Sequence, residues 1–356
     1  MRYAVKKALD VLKIACKCDK PYKPRAIASP EGITIRGKEF EVLLETPMST
    51  SKILELSTER LEMIQANNDI TEDDLLVNSK ESVEMLYNFN LTQELATLNA
   101  QEFSKSLQTV KVGIALDDTR PILTGVYLNG LDMVSVDGYR IITRQMQEEI
   151  TPSFAMPHQV VELLSKLITK STDTLYLWQD NDFVGIKVDN TLIAFKPLQG
   201  EYLKYERVFS DDKELAFKVN RKSLIKAITE VSKIPYYETD DKGNRKKISD
   251  QKKIAKKRPM ILAFEDSLIG DYDLSVGLHK VELQEPKITI DNEYGTPKAY
   301  SNFKISFNPK YMLDALKNAY EDEDVEIRLL SNLMPITIIG SKSKSIVLPI
   351  RIQEGK

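Results

Sequence analysis

Asp117 and Asp118 are the closest this chain comes to a general acid and base. Adjacent residues of a strand or loop point apart, however, and Asp-Asp-Thr-Arg reads as a turn. His158 falls at the start of a predicted helix and His279 in a predicted strand, neither with a nearby pattern of cysteines or carboxylates at metal-ligand spacing. Cys16 and Cys18 stand two apart on a predicted helix, where side chains do not face each other, so they read as incidental thiols of a reducing compartment. The run Gly32-Ile33-Thr34-Ile35-Arg36-Gly37-Lys38-Glu39 nearly matches a phosphate-binding loop. Glu39 stands where the magnesium-holding Ser or Thr belongs, and the β-branched residues favour a strand. Neither a nucleophile elbow nor a dinucleotide fingerprint occurs. The expectation is a chain with no catalytic residue, no metal and no cofactor.

The cations offer a different chemistry. Lys6, Lys13 and Lys17 lie opposite Leu9, Leu12 and Cys16 on one predicted helix, and Lys222, Lys226 and Lys233 form a stripe with Thr229 on another. Lys105, Lys111, Lys166 and Lys170 belong to the helices of the middle of the chain. A loop over 240–258 carries Lys242, Arg245, Lys246, Lys247, Lys252, Lys253, Lys256, Lys257 and Arg258. Lys20, Lys23, Arg25 and, further on, Arg120 occupy equivalent helix-to-strand connections. The formal net charge is only −3, so contact with nucleic acid has to come from segregated charge. On one helix a lysine stripe is ordinarily a solvated face. Repeated on equivalent helices, it can form one surface that holds duplex DNA, with about one charge per 1.7 Å of axis, without reading a base.

The elements that must position these residues repeat. Over 212–356 the pattern predicts a strand at Leu215–Val219, a helix over 221–234, strands at 260–264, 273–284 and 303–307, a helix from Pro309, and strands at 325–330, 335–339 and 345–352. Over 96–211 it predicts a helix through Phe103, Leu107 and Val110, strands at 122–128 and 131–144, a helix opened by Pro157, and strands at 174–179, 183–188 and 191–197. Residues 1–95 fit more loosely, with a first helix, strands at 25–29, 32–36 and 39–46, and a helical stretch around Leu56–Ala66. The expectation is an α+β chain of three repeated domains, 1–95, 96–211 and 212–356, each with two helices packed on antiparallel sheets. The first is short and divergent and the last carries the basic 240–258 loop. No Gly/Pro-rich linker separates them, so sheets should continue across the junctions. No apolar run reaches the roughly 20 residues of a membrane helix, which predicts a cytoplasmic protein with no membrane partner.

Within this plan Asp118-Thr119-Arg120-Pro121-Ile122-Leu123-Thr124-Gly125, Val136-Asp137-Gly138-Tyr139-Arg140-Ile141, Gly200 through Val208, and Ile346-Val347-Leu348-Pro349-Ile350-Arg351 resemble the bacterial DNA polymerase sliding clamps, the beta subunits of replicative polymerases. The resemblance implies a DNA clamp fold, with each chain forming half of a six-domain ring that closes as a head-to-tail homodimer around double-stranded DNA. Helices would line the hole, facing DNA with Lys6, Lys13, Lys17, Lys20, Lys23, Arg25, Lys105, Lys111, Arg120, Lys166, Lys170, Lys222, Lys226, Lys233, Lys246 and Lys247. It also implies a groove for a Gln-Leu-x-Leu-Phe-like peptide of the replicative polymerase, the clamp loader and other partners. Its walls would be Leu123, Val136, Gly138, Tyr139, Arg140, Ile141, Leu203, Arg207, Val208, Asn308, Tyr311, Ile346, Val347, Leu348, Pro349, Ile350 and Arg351. For the aliphatic members core packing is the plainer reading. For Arg140, Arg207 and Arg351 burial is costly, which favours a surface role. Leu203 replaces a proline common in the family. An open monomeric DNA-binding scaffold and a nuclease using scattered carboxylates remain the alternative readings.

Overall fold

A computed structural model of the chain describes residues 2–18, 22–59, 61–62, 76, 80–81, 93–117, 119–169, 172–180, 182–209, 215–233, 237–239, 245–247, 260–266, 272–276, 281–282 and 304–351. Two compact units emerge, one of residues 1–134 with 146–202 and one of residues 135–145 with 203–356.

The first unit is built on a nine-stranded antiparallel sheet. In spatial order its strands are Lys80–Glu81, Leu54–Leu56, Arg25–Ser29, Gly32–Arg36, Phe40–Glu45, Thr191–Phe195, Phe183–Val188, Thr174–Asp180 and Gln93–Asn99. Strands of the first two predicted blocks are therefore neighbours in one sheet, with Val42 opposite Ile193 and Phe40 opposite Phe195. Ala26, Ala28, Ile33, Ile35, Val42, Leu44, Ile193, Phe195, Ile186 and Leu177 share one face by register, and all are buried. Helix α1 (Arg2–Cys18) packs on this sheet, burying Val5, Ala8, Leu9, Leu12 and Ala15 at helical spacing. The valine and leucine side chains each contribute about 1.5–3 kcal/mol of transfer free energy. Helix α2 (Ala100–Val110) is capped by Asn99, whose side chain accepts from the Glu102 amide, and it buries Phe103, Leu107 and Val110. Helix α3 (His158–Leu167) buries Val160, Val161 and Leu164 and packs on α1 and α2.

The segment resembling a phosphate loop is a strand. Gly32 has φ +147° there, and a Cβ would stand 2.1 Å from the Leu44 carbonyl oxygen, so the glycine serves strand pairing. Two expectations change. Pro121–Leu123 form a 3-10 turn rather than opening a strand, and one strand, Gly125–Val136, runs through Asn129 and Gly130, with Gly130 at φ +58°. The hairpin turn lies at residues 137–139 instead, and the following strand, Arg140–Pro157, extends through a polar stretch that lacks an apolar alternation to betray it. Of the predicted helix near Leu56–Ala66, residues 58–59 and 61–62 are helical, residues 54–56 are a strand, and the rest lies outside the described residues.

In the second unit Leu215–Asn220, Asp324–Leu329, Ile336–Ile339, Ser343–Val347 and the 140–144 part of Arg140–Pro157 pair in that order, all antiparallel. Phe217, Val219, Ile327, Ile338, Val347 and Ile142 alternate onto one buried face. Helices α4 (Arg221–Lys233) and α5 (Pro309–Asn318) pack on each other and on this sheet, with Leu224 and Ile228 of α4 and Met312, Ala315 and Leu316 of α5 buried. A second sheet orders Val281–Glu282, Tyr272–Val276, Met260–Asp266 and Lys304–Phe307. At the start of the basic loop Tyr237–Thr239 pairs with Arg245–Lys247, and residues 240–244 and 248–258 lie outside the described residues.

Ile338 is 1% exposed while Lys218 is exposed on the opposite face of the same sheet. Ile338→Ala is expected to cost about 2–5 kcal/mol and Lys218→Ala no more than about 0.5 kcal/mol, read from urea midpoints at matched slopes.

Candidate partner-binding site

The register of the second unit gathers three chain segments at one end of its sheet. Ile336 lies opposite Val347, and Val347 lies opposite Arg140. Beyond those pairs the chain continues into Leu333-Met334, into Leu348-Pro349 and into the 137–139 turn. The Leu348 amide donates to the Tyr139 carbonyl at 2.9 Å, Pro349 bridges to Phe307, and the Ile350 amide donates to the Ser306 carbonyl at 3.0 Å. Tyr139 is 62% exposed, Leu333 61%, Met334 45% and Leu348 38%, a concentration of large apolar surface left in water where most such side chains among the unit's described residues are buried. Leu203 and Val208 of the same unit are also exposed.

The turn that presents Tyr139 is shaped by Asp137. One carboxylate oxygen accepts from the amides of Tyr139 and Arg140, both at 3.0 Å, and Gly138 takes φ +83°. The other oxygen accepts from Arg140 Nε at 2.9 Å, while Arg140 Nη1 donates to Asp314 Oδ2 at 2.5 Å. The same guanidinium lies 4.3 Å from the Tyr311 ring centroid, and the Tyr311 and Tyr139 rings stack at 6.2 Å. Burial, with Asp137 next, pushes the Tyr311 phenol up, and Arg140 partly offsets them, so Tyr311 stays neutral. Helix α5 is aimed by its N-terminus, where Asn308 accepts from the Lys310 amide at 2.9 Å and Pro309 takes the first helical position.

The expected surface role of Arg140 needs correction. It is 4% exposed, and burial is tolerated because two carboxylates and a ring face replace its hydration. Sequence reasoning missed its neighbour Arg144, fully buried over the Tyr320 ring at 4.0 Å, donating to the Asn318 carbonyl at 2.7 Å and paired with Glu321. Asn318 Nδ2 in turn donates to the Thr143 carbonyl at 2.8 Å. Leu333 and Met334 were missed too, since a loop between strands gives no periodic signal. Of the other predicted wall residues, Ile141, Ile346 and Val347 are buried core, as is Val136. Pro349 and Ile350 are half-buried, and Arg207 and Arg351 are exposed. Leu123 is buried in the first unit, as is Tyr202, whose ring stacks at 4.2 Å on Tyr127 and whose phenol burial pushes far above the ordinary range.

Of the predicted DNA-facing cations, Lys6, Lys13, Lys17, Lys23, Lys105, Arg120, Lys166, Lys222 and Lys226 are exposed, and Arg25 is half-buried. Lys226 Nζ stands 4.0 Å from Glu230. Lys111 differs. It is half-buried and ion-paired with Glu162 at 3.0 Å, so much of its charge is neutralised. Burial pushes the nearby His158 imidazole down, Glu162 opposes this and Lys111 adds to it. Lys20, Lys170, Asp118 and His279 lie outside the described residues, as do the side chains of Lys233, Lys246 and Lys247. Cys16 is exposed and free. Among the described residues no group of three or more His, Cys, Asp or Glu could hold a metal, and no helix is long and apolar enough to cross a membrane.

Arg144→Ala is expected to destabilise the second unit by about 3 kcal/mol in urea titrations, because it strips the Asn318 carbonyl and Glu321 of their buried partner. Tyr139→Ala, at an exposed position, is expected to change stability by no more than about 1 kcal/mol.

Residues 97–204 match the family described as the DNA polymerase III beta subunit, central domain. Over 332 residues the chain is 26% identical to a beta sliding clamp of Chlamydia pneumoniae, covering 90% of this chain and 82% of that protein. A beta sliding clamp of Staphylococcus epidermidis is 25% identical over 71% of this chain, a match that spans 63% of that relative's length. Among solved structures, a Caulobacter crescentus beta sliding clamp superposes with a TM-score of 0.74 at 16% identity, covering 99% of this chain and 98% of that one. The beta subunit of a Streptococcus pyogenes DNA polymerase gives 0.71 at 16% identity, with 98% and 99% covered.

Proposed function

With a central domain that belongs to the DNA polymerase III beta-subunit family and the fold of the bacterial beta sliding clamps, we propose that this chain is a sliding clamp in action as well as in architecture. Two copies close head to tail into a ring around duplex DNA, a clamp loader opens the ring, and the replicative polymerase is tethered to it by a short apolar peptide. No step of this requires a catalytic residue.

The exposed cluster of Tyr139, Leu333, Met334 and Leu348 carries the reading. Aliphatic and aromatic side chains suit a peptide whose Leu and Phe enter apolar pockets, and the exposed Arg207 and Arg351 belong to the same unit and suit its backbone carbonyls and acidic groups. The other half of the function needs weak, sequence-neutral attraction. Exposed lysines on α1, α3 and α4, each a mobile point charge, supply attraction that slides rather than grips. Retention then comes from closure of the ring, and affinity is secondary.

Sedimentation is expected to give a dimer, and the loaded protein should stay on nicked circular DNA and leave when the circle is cut. A monomer, or equal loss from both forms, would remove encirclement. In fluorescence anisotropy with a labelled Gln-Leu-x-Leu-Phe-like peptide, Tyr139→Ala and Leu348→Ser are each expected to weaken binding about tenfold, or about 1.4 kcal/mol. The double change Lys222→Ala with Lys226→Ala should leave peptide affinity intact and reduce the slope of log K for DNA against log salt by roughly 1 to 2.

A further inference from the structure

We propose that Asp314 is a positioning residue for the partner-binding site. It acts through Arg140 to hold Tyr139 and Tyr311 as a rigid aromatic wall and does not itself touch the partner. The inference rests on the peptide-groove reading and adds to it the device that preorganises the groove.

One guanidinium joins three elements. Arg140 starts a strand, Asp137 belongs to the preceding turn and Asp314 to α5, and the two carboxylates hold the guanidinium by its edge at 2.9 and 2.5 Å while its face lies on the Tyr311 ring. Asp137 also dictates the turn that carries Tyr139. The position of Tyr139 relative to Tyr311 is thereby set by a guanidinium with almost no freedom, since Arg140 is 4% exposed and both carboxylates are 13% exposed. Take the charge from Asp314 and Asp137 is the one carboxylate of this pair that still faces the cation. It then gains by swinging toward water, away from the ring, and the two tyrosines lose their common reference. With both carboxylates present, much of the hydrogen-bonding capacity of Arg140 is spent inside the protein. A partner therefore meets the tyrosine rings, not the cation.

Support for the helix itself lies elsewhere, which separates positioning from folding. Met312, Ala315 and Leu316 anchor α5 in the core, and a second polar tether sits one to two turns further on, where Asn318 binds the Thr143 carbonyl and Arg144 binds Asn318 and Glu321. Loss of the Asp314 charge leaves all of these in place.

The test uses the full chain, the labelled peptide above, and near-ultraviolet circular dichroism, where the stacked tyrosine pair contributes. Asp314→Asn is expected to weaken the peptide about tenfold, mainly through faster dissociation, and to diminish the tyrosine band, with the chain still folded by far-ultraviolet circular dichroism and the DNA salt slope unchanged. Asp314→Glu, which restores a carboxylate, is expected to bind within about threefold of the parent and to recover the band. Parent-like binding and an unchanged band in Asp314→Asn would overturn the proposal, and so would Asp314→Glu behaving as Asp314→Asn does. Failure of the parent chain to bind the peptide at all would instead sink the groove reading, and this inference with it.

Discussion

A buried arginine is unstable unless something replaces the water it gives up, and the second unit meets that constraint twice along one helix. Tyr311, Asp314, Asn318 and Glu321 follow one another at spacings of three, four and three along α5 and the turn after it, and they meet Arg140, Thr143 and Arg144 of the facing strand. Single-partner loss at either arginine strands a desolvated charge, whereas the intact seam also ends the helix well, because Arg144 binds a carbonyl at its C-terminus. The Tyr139 turn, and through its carbonyl the Leu348 amide, is presented from this seam.

The proposed function would use opposite physical strategies for its two kinds of partner. A peptide would meet a few apolar side chains held still by buried polar interactions, so that little conformational freedom remains to be lost on binding. DNA would meet cations distributed on solvated helix faces, where each contributes little and none fixes a register. Lys111 shows the boundary between the two, since pairing with Glu162 makes it part of the helix packing and takes it out of that field.

Much of this was legible beforehand because the relevant signals are periodic. The alternation of Ala26, Ala28, Ile33 and Ile35, the helical spacing of Val5, Leu9 and Leu12, and the Asn308-Pro309 start of α5 each state their element locally. What escaped depends on contacts distant in sequence. Nothing near Arg140 announces Asp314, 174 residues away, and burial of an arginine looks prohibitive until its partners are known. Arg144 was accessible in principle, being four residues from Arg140 in a strand and hence on the same face, opposite a polar stripe on a helix that is otherwise apolar inward. The long strand to Pro157 was hidden because hydrogen-bonding neighbours, rather than its own polar residues, make it a strand.

The ladder between Phe40–Glu45 and Thr191–Phe195 has a mechanical meaning. Five consecutive residue pairs bridge the first stretch of the chain to the middle one, with buried side chains on the helix-bearing face. Peeling them apart would bare amides and carbonyls together with apolar surface, so this seam resists shear as a stiff plank does. Within the first unit, deformation falls first on stretches that no such ladder crosses.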